Sequence, residues 1–243
     1  MTERDAATDS VKNVLLLSGW SVPVQRWSEV VGCSSQAVLC SFEGCTDRDD
    51  FVAAASDALS ACASEATIIG WSLGAMVGLE LAHLHPDRVR RMCLVGATDR
   101  FVTQPGDTVG WSPRVLERME LALNASPDEV LEAFDEAMFS SSERAKGAPD
   151  TWRSVVGANR GSVASLREGL SYLASFRVDP GEISTPTALL HGEADTICPV
   201  GGARRLVAGL SNGTLDTWPG AGHSPFVAQP GRFAGWIAAA MDR

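Results

Sequence analysis

The stretch Ala66-Thr67-Ile68-Ile69-Gly70-Trp71-Ser72-Leu73-Gly74 decides the fold. It joins an apolar run to a G-x-S-x-G pentapeptide and passes straight into a helical pattern over residues 73–85. A serine on a tight strand-to-helix turn needs small neighbours, because side chains at Gly70 and Gly74 would strike the adjoining strand and helix. The turn lifts the Ser72 hydroxyl clear of the sheet and points the free N–H groups of the next helix at the same place. The pentapeptide by itself is equally an ordinary glycine-rich turn. The strand before it and the helix after it are the context that makes it a nucleophile elbow.

Outward from the elbow, short apolar runs at residues 14–17, 37–42, 67–70, 91–96, 187–191 and 215–218 read as buried strands. Helical patterns at 49–64, 73–85, 200–210 and 231–241 alternate with them. This alternation predicts an α/β fold, a mostly parallel sheet with helices on both faces. Residues 104–177 break the pattern with helical stretches at 113–123, 127–139 and 162–176, and a looser stretch between the last two. The chain is therefore expected to have a core of residues 1–103 and 178–243, with residues 104–177 inserted as a helical cap on the sheet's carboxyl edge.

A serine nucleophile needs a base, and the base needs an acid to orient it. The chain has four histidines. His83 and His85 sit late in the helix after Ser72, and His191 ends a buried strand, where it is expected to anchor core or loop. His223 lies in the glycine-rich loop Pro219-Gly220-Ala221-Gly222-His223-Ser224-Pro225, between the last strand and the last helix. A loop there can carry an imidazole over the elbow. The acid is expected between serine and histidine in chain order. Asp195 in His191-Gly192-Glu193-Ala194-Asp195 fits that place, with Glu193 and Asp99 as alternatives. The candidate catalytic set is therefore Ser72, Asp195 and His223. An oxyanion hole requires two backbone donors. Leu73 N–H follows the nucleophile, and Trp20 N–H in Ser18-Gly19-Trp20-Ser21 is the second candidate, with Gly19 permitting close approach. No metal or organic cofactor is required by this chemistry.

Composition bounds the partners. Of 243 residues, 45% are hydrophobic and 21% charged, enough for a packed core. A net charge of -10 excludes sequence-independent nucleic-acid binding and an anionic membrane surface. Residues 1–12 are polar without a signal core, and no stretch reaches the ~20 apolar residues of a membrane span. Cys33, Cys40, Cys45, Cys62, Cys93 and Cys198 form no C-x-x-C pair and have no histidine at metal-ligand spacing, so most read as buried thiols in a reducing cytoplasm; the chain is expected to be a monomer.

Taken together, these motifs resemble the α/β-hydrolase superfamily along nearly the whole chain. Within it, the chain is most similar to the biotin-pathway pimeloyl-[acyl-carrier protein] methyl ester esterases. The resemblance is carried by Gly70-Trp71-Ser72-Leu73-Gly74, by His85-Pro86-Asp87-Arg88-Val89, by the strand and turn from Leu94 to Val102, and by Trp111-Ser112-Pro113-Arg114-Val115-Leu116. It implies hydrolysis of the methyl ester of a pimeloyl chain on acyl-carrier protein, with Trp20, Ser72, Leu73, Phe134, Met138 and His223 lining the substrate site. The chain departs from that family in two places. Ser18 stands where His-Gly-Trp-Gly would begin, and Phe42-Glu43-Gly44-Cys45 shortens the loop after the second strand.

In the expected cap, Met119, Phe134, Met138, Phe139 and Trp152 would either line an acyl channel or pack the cap onto the core. Residues 144–177 hold six basic side chains (Arg144, Lys146, Arg153, Arg160, Arg167, Arg177) against Asp150 and Glu168, a local charge of +4. Such a face, with Arg144, Lys146, Arg153 and Arg160 as candidate contacts, would steer an acidic carrier protein. It reads equally as a solvated helix face. The competing functions are a general short-chain carboxylesterase, an enol-lactonase or a menaquinone-pathway relative of the same fold, and a noncatalytic ligand receptor that keeps the triad.

Overall fold

Six strands form one parallel sheet: β1 (Val14–Leu17), β2 (Val38–Cys40), β3 (Ala66–Trp71), β4 (Val89–Val95), β5 (Thr187–Gly192) and β6 (Gly213–Trp218), in the order β2-β1-β3-β4-β5-β6. The computed structural model describes residues 13–32 and 37–242. Every residue of β1, β3 and β5 is buried, as a parallel sheet covered on both faces requires. The edge strands β2 and β6 are only partly covered. All six strands fall on the apolar runs that predict them.

The helices are α1 (Val24–Val31), α2 (Arg48–Ser60), α3 (Leu73–Leu84), α4 (Pro113–Ala125), α5 (Pro127–Ala137), α6 (Ser141–Arg144), α7 (Ala148–Val156), α8 (Val163–Ser175), α9 (Val200–Gly209), α10 (Pro225–Ala228) and α11 (Pro230–Asp242). Residues 73–82 of α3 are buried without interruption, so this helix lies in the core and shows no polar face over that stretch. Helices α4 and α5 each begin with a proline, whose fixed φ and missing N–H suit the first turn. Helices α1 and α7 lie where the sequence pattern predicts no helix. Their ends explain why: Pro23 caps α1 and Gly32 closes it in the left-handed region, while Gly147 and Gly157 bound α7, so punctuation masks two short amphipathic helices.

Strand order reverses between β1 and β3, which pair as Leu17↔Gly70 at their carboxyl ends. The loops leaving such neighbours run apart and open a crevice, the usual ligand position in an open α/β sheet. Helices α4–α8 all lie between β4 and β5 in sequence. The chain leaves and re-enters the sheet region at one place, where Val178 N–H donates to Asp99 O at 3.0 Å and Arg100 bridges Arg177. The core beneath the elbow is aromatic: Trp71 meets Trp27, Phe226 and Trp152 with ring centroids 5.8, 5.0 and 5.5 Å away. No described helix is long and apolar enough to cross a membrane. Cys40, Cys45, Cys62 and Cys198 are buried, and burial pushes the Cys40 thiol up to about 12. Cys33 lies outside the described residues.

Candidate active site

Ser72 follows β3 directly and opens α3, with φ 54° and ψ −120°. Among the described residues only Ser21 and Ser72 combine a side chain with positive φ, a conformation that L-residues adopt at a cost. The surroundings enforce it. A Cβ on Gly70 would come within 2.8 Å of Ala75 Cα, and one on Gly74 would fall on the carbonyls of Leu17 and Ser18. The second contact shows that the first turn of α3 presses on the loop after β1. Ser72 N–H donates to Val95 O at 2.9 Å, which fixes the turn from the β4 side.

The loop after β1 carries Trp20. A Cβ on Gly19 would approach the Trp71 ring to 2.7 Å, so only glycine lets this loop lie against the elbow. Ser18 Oγ donates to Val22 O at 2.8 Å and closes the loop on itself. This is the bond formed by the serine at the position where the resemblance leads one to expect histidine. As the first residue of α3, Leu73 has no intrahelical acceptor for its N–H. A cavity of about 280 Å³ opens beside Trp20 and Leu73, and Phe42 and Glu43 from the shortened loop form part of its wall.

Asp195 and His223 come from the loops after β5 and β6, and His223 Nδ1 lies 2.7 Å from Asp195 Oδ2. A carboxylate only accepts, so Nδ1 carries the proton. Asp195 Oδ1 accepts from the N–H groups of Ile197 and Cys198, each at 2.8 Å. His191 Nε2 lies 3.2 Å from the same Asp195 Oδ2 and 2.5 Å from Cys198 O. Both neighbours are acceptors, so His191 donates from Nε2. Burial alone would raise the Asp195 carboxyl, but the charge of His223 and the hydrogen bonds from His191 and His223 hold it well below the ordinary carboxylate range. His223 Nε2 is buried with no hydrogen-bond partner among the described residues. The imidazole packs 5.5 Å from the Trp71 ring, and Trp71 Nε1 donates to His223 O at 3.2 Å, so the elbow's own tryptophan anchors the histidine. With Nδ1–H held by a buried carboxylate, Nε2 is the ring nitrogen placed to exchange a proton with a hydroxyl.

The alternative acids are occupied elsewhere. Asp99 pairs with Arg205 at 2.7 Å, and Glu193 is exposed and accepts from Thr217. His85 meets Ser56 Oγ at 3.1 Å and His83 faces Glu182, both away from Asp195.

Helices α5–α8 cover the site. Phe134 packs edge-on against Trp20 with centroids 4.9 Å apart, and Met138 O accepts His223 N–H at 2.7 Å. A Cβ on Gly169 of α8 would lie 2.6 Å from Trp20 Cδ1. Phe139 and Trp152 are buried and Met119 packs against the core as a half-buried residue. Ser72 and His223 are 3% and 1% exposed, so this covering excludes bulk water.

Of the basic residues, Arg144 and Lys146 are exposed. Arg153 is half-buried and pairs with Glu136 and Asp150. Arg160 differs from the docking contact its sequence position suggests. Its side chain is 8% exposed and turns inward to Asp135, because a buried carboxylate needs a paired cation. Sequence reasoning also misses Glu143. This buried carboxylate accepts from Ser140 N–H at 2.8 Å and from Gly222 N–H, next to His223, at 2.9 Å. The Ser140-x-x-Glu143 capping box is legible in the sequence; its reach to residue 222 is not.

This fold, with a serine elbow after β3 and a carboxylate–imidazole pair packed against the elbow's tryptophan, defines a class of protein. The sequence pattern of the Alpha/beta hydrolase family matches residues 14–236, and the chain belongs to that family. Among curated proteins it is 27% identical to the pimeloyl-[acyl-carrier protein] methyl ester esterase of Aromatoleum aromaticum, over 90% of this chain and 93% of the relative. It is 29% identical to the protein of the same name from Chromobacterium violaceum, over 73% of this chain and 70% of that one. Among solved structures, an esterase from Exiguobacterium antarcticum superposes with a TM-score of 0.82 at 16% identity, covering 95% of this chain and 92% of that one, a likeness of fold.

Proposed function

We propose that the chain is a serine carboxylesterase acting on the methyl ester of a pimeloyl chain carried by an acyl-carrier protein, with residues 104–177 as its cap. That it is a carboxylic ester hydrolase rests on the family and on relatives named as esterases. The observation that carries the mechanism is the 2.7 Å bond from His223 to the buried Asp195, with His223 packed against Trp71 of the elbow. His223 Nε2 takes the Ser72 proton as Oγ bonds to the ester carbonyl carbon. Asp195 holds the tautomer and stabilises the imidazolium. The N–H groups of Leu73 and Trp20 receive the oxyanion, and loss of one such donor typically slows kcat about 100- to 1000-fold. The C–O bond to the alcohol breaks, and the alcohol leaves with the proton from His223. Water, deprotonated by His223, then attacks the acyl-enzyme and releases the acid and Ser72.

Phe134 and Met138 are assigned to the substrate wall, since one touches Trp20 and the other His223. Arg144, Lys146 and Arg153 are assigned to the carrier contact; Arg160 is left out because it faces inward. The test uses p-nitrophenyl esters of short and medium chain length beside a carrier-linked methyl ester, with Ser72→Ala as control. Turnover lost in Ser72→Ala with an unchanged melting point is expected, and turnover retained at the wild-type rate contradicts the mechanism. For the carrier, kcat/KM on the linked substrate is expected to fall with salt while the small ester is insensitive. Equal dependence contradicts the carrier assignment and favours a general esterase.

A further inference from the structure

The best-satisfied charge outside the triad is the Arg160 guanidinium, in the loop between α7 and α8. It makes a two-pronged pair with Asp135 of α5, Nη1 to Oδ2 and Nη2 to Oδ1, both at 2.9 Å. Its other bonds run to the loop after β1: Nε donates to Ser21 O and Nη2 to Ser21 Oγ, each at 2.9 Å. Trp152 Nε1 donates to Asp135 from behind at 2.9 Å. The side chains are 8% and 2% exposed. With its donors committed, Arg160 has little left to offer a ligand.

Two facts make this more than packing. A buried ion pair is a weak source of stability, because both charges lose their water and an apolar pair of the same volume often does as well. And the residue it grips is Ser21, one of two non-glycine residues with positive φ among those described, the other being the elbow serine. Ser21 follows Trp20, so the carbonyl that Arg160 holds lies two peptide units beyond the N–H assigned to the oxyanion. A strained backbone persists where its surroundings over-determine it, and here the guanidinium supplies both the carbonyl and the hydroxyl contact.

We infer that Arg160, backed by Asp135, is a positioning residue that locks the Ser21 peptide, and through it the Trp20 N–H, in the geometry that receives the oxyanion. The covering helices and the oxyanion loop are thereby set as one unit. The inference rests on the esterase reading and on Trp20 N–H as a donor.

The decisive variants are Arg160→Lys and the double variant Arg160→Met with Asp135→Asn. Lysine keeps the charge beside Asp135 and loses the planar fork that reaches Ser21 O and Oγ. The double variant removes both buried charges and keeps an acceptor for Trp152 Nε1. Each is measured for thermal midpoint and for kcat and KM on a p-nitrophenyl ester. Both are expected to keep KM within about twofold while kcat falls about tenfold or more, since misplacing a catalytic group by an ångström costs on that order. If Arg160→Lys does not fold, the double variant, free of lone buried charge, decides. A folded variant with wild-type kcat, or with its loss confined to KM, overturns the inference. A wild-type chain that turns over no ester instead overturns the underlying function, so the two failures are told apart.

Discussion

Two regions close on His223 from opposite sides, and they hold it by different means. The sheet side delivers parts from strand ends: Asp195 after β5, His223 after β6, Ser72 after β3. Each sits within five residues of a strand's carboxyl end, so the backbone places it, and one side-chain bond joins His223 to Asp195. The helical side touches the same loop through Met138 O and the Glu143 carboxylate, and touches the β1 loop through Phe134 and Arg160. Apart from the Met138 carbonyl, its contacts depend on side chains reaching across long sequence gaps. On the proposed mechanism the sheet side sets which groups react, and the helical side sets how tightly they are held and how dry they stay.

This contrast orders the expected effects. Asp195→Asn acts on the sheet side and should lower kcat about 10⁴-fold, because the amide no longer fixes the imidazole tautomer. Steady-state kinetics on a small ester checks it, and a loss under tenfold would place the acid elsewhere. Glu143→Ala acts on the helical side. It leaves Gly222 N–H and Ser140 N–H without their acceptor, at about 1–3 kcal/mol for a buried donor, and should reduce kcat far less than Asp195→Asn. Chemical denaturation beside kinetics reads both; an effect on kcat equal to that of Asp195→Asn would erase the distinction between the two sides.

The third and smallest effect is in acid. The Asp195 carboxyl is held below its ordinary range, so its contribution to stability is complete above the unfolded carboxylate value near pH 4 and fades as pH falls below it. The stability gap between wild type and Asp195→Asn should therefore narrow from pH 6 toward pH 3, as urea midpoints would show. A gap that widens in acid would mean a raised carboxyl and a different charge arrangement.

The same contrast decides what was legible in the sequence. Strands and elbow are legible because each rests on neighbours in the chain: apolar runs mark the strands, and Gly70 and Gly74 flank the serine. Chain order does not separate Asp195 from Asp99, since both lie between Ser72 and His223; the structure pairs Asp99 with Arg205 and Asp195 with His223. Helices α1 and α7 escaped because flanking proline and glycine resemble loop punctuation. Arg160 was read as surface charge since nothing local announces a partner on α5 or at Ser21, and pairing at that separation leaves no periodic trace. For the same reason, the local +4 of residues 144–177 overstates the free positive charge: Arg160 is spent on Asp135, while Arg153 stays part-exposed beside Glu136 and Asp150.

The central claim is that Ser72 is a nucleophile activated by His223. Intact-protein mass spectrometry after exposure to an organophosphonate ester tests it most directly. A single adduct on the peptide containing Ser72 is expected, absent in Ser72→Ala and formed far more slowly in His223→Ala. An adduct at another residue, or one that forms on Ser72 equally fast without His223, would contradict it.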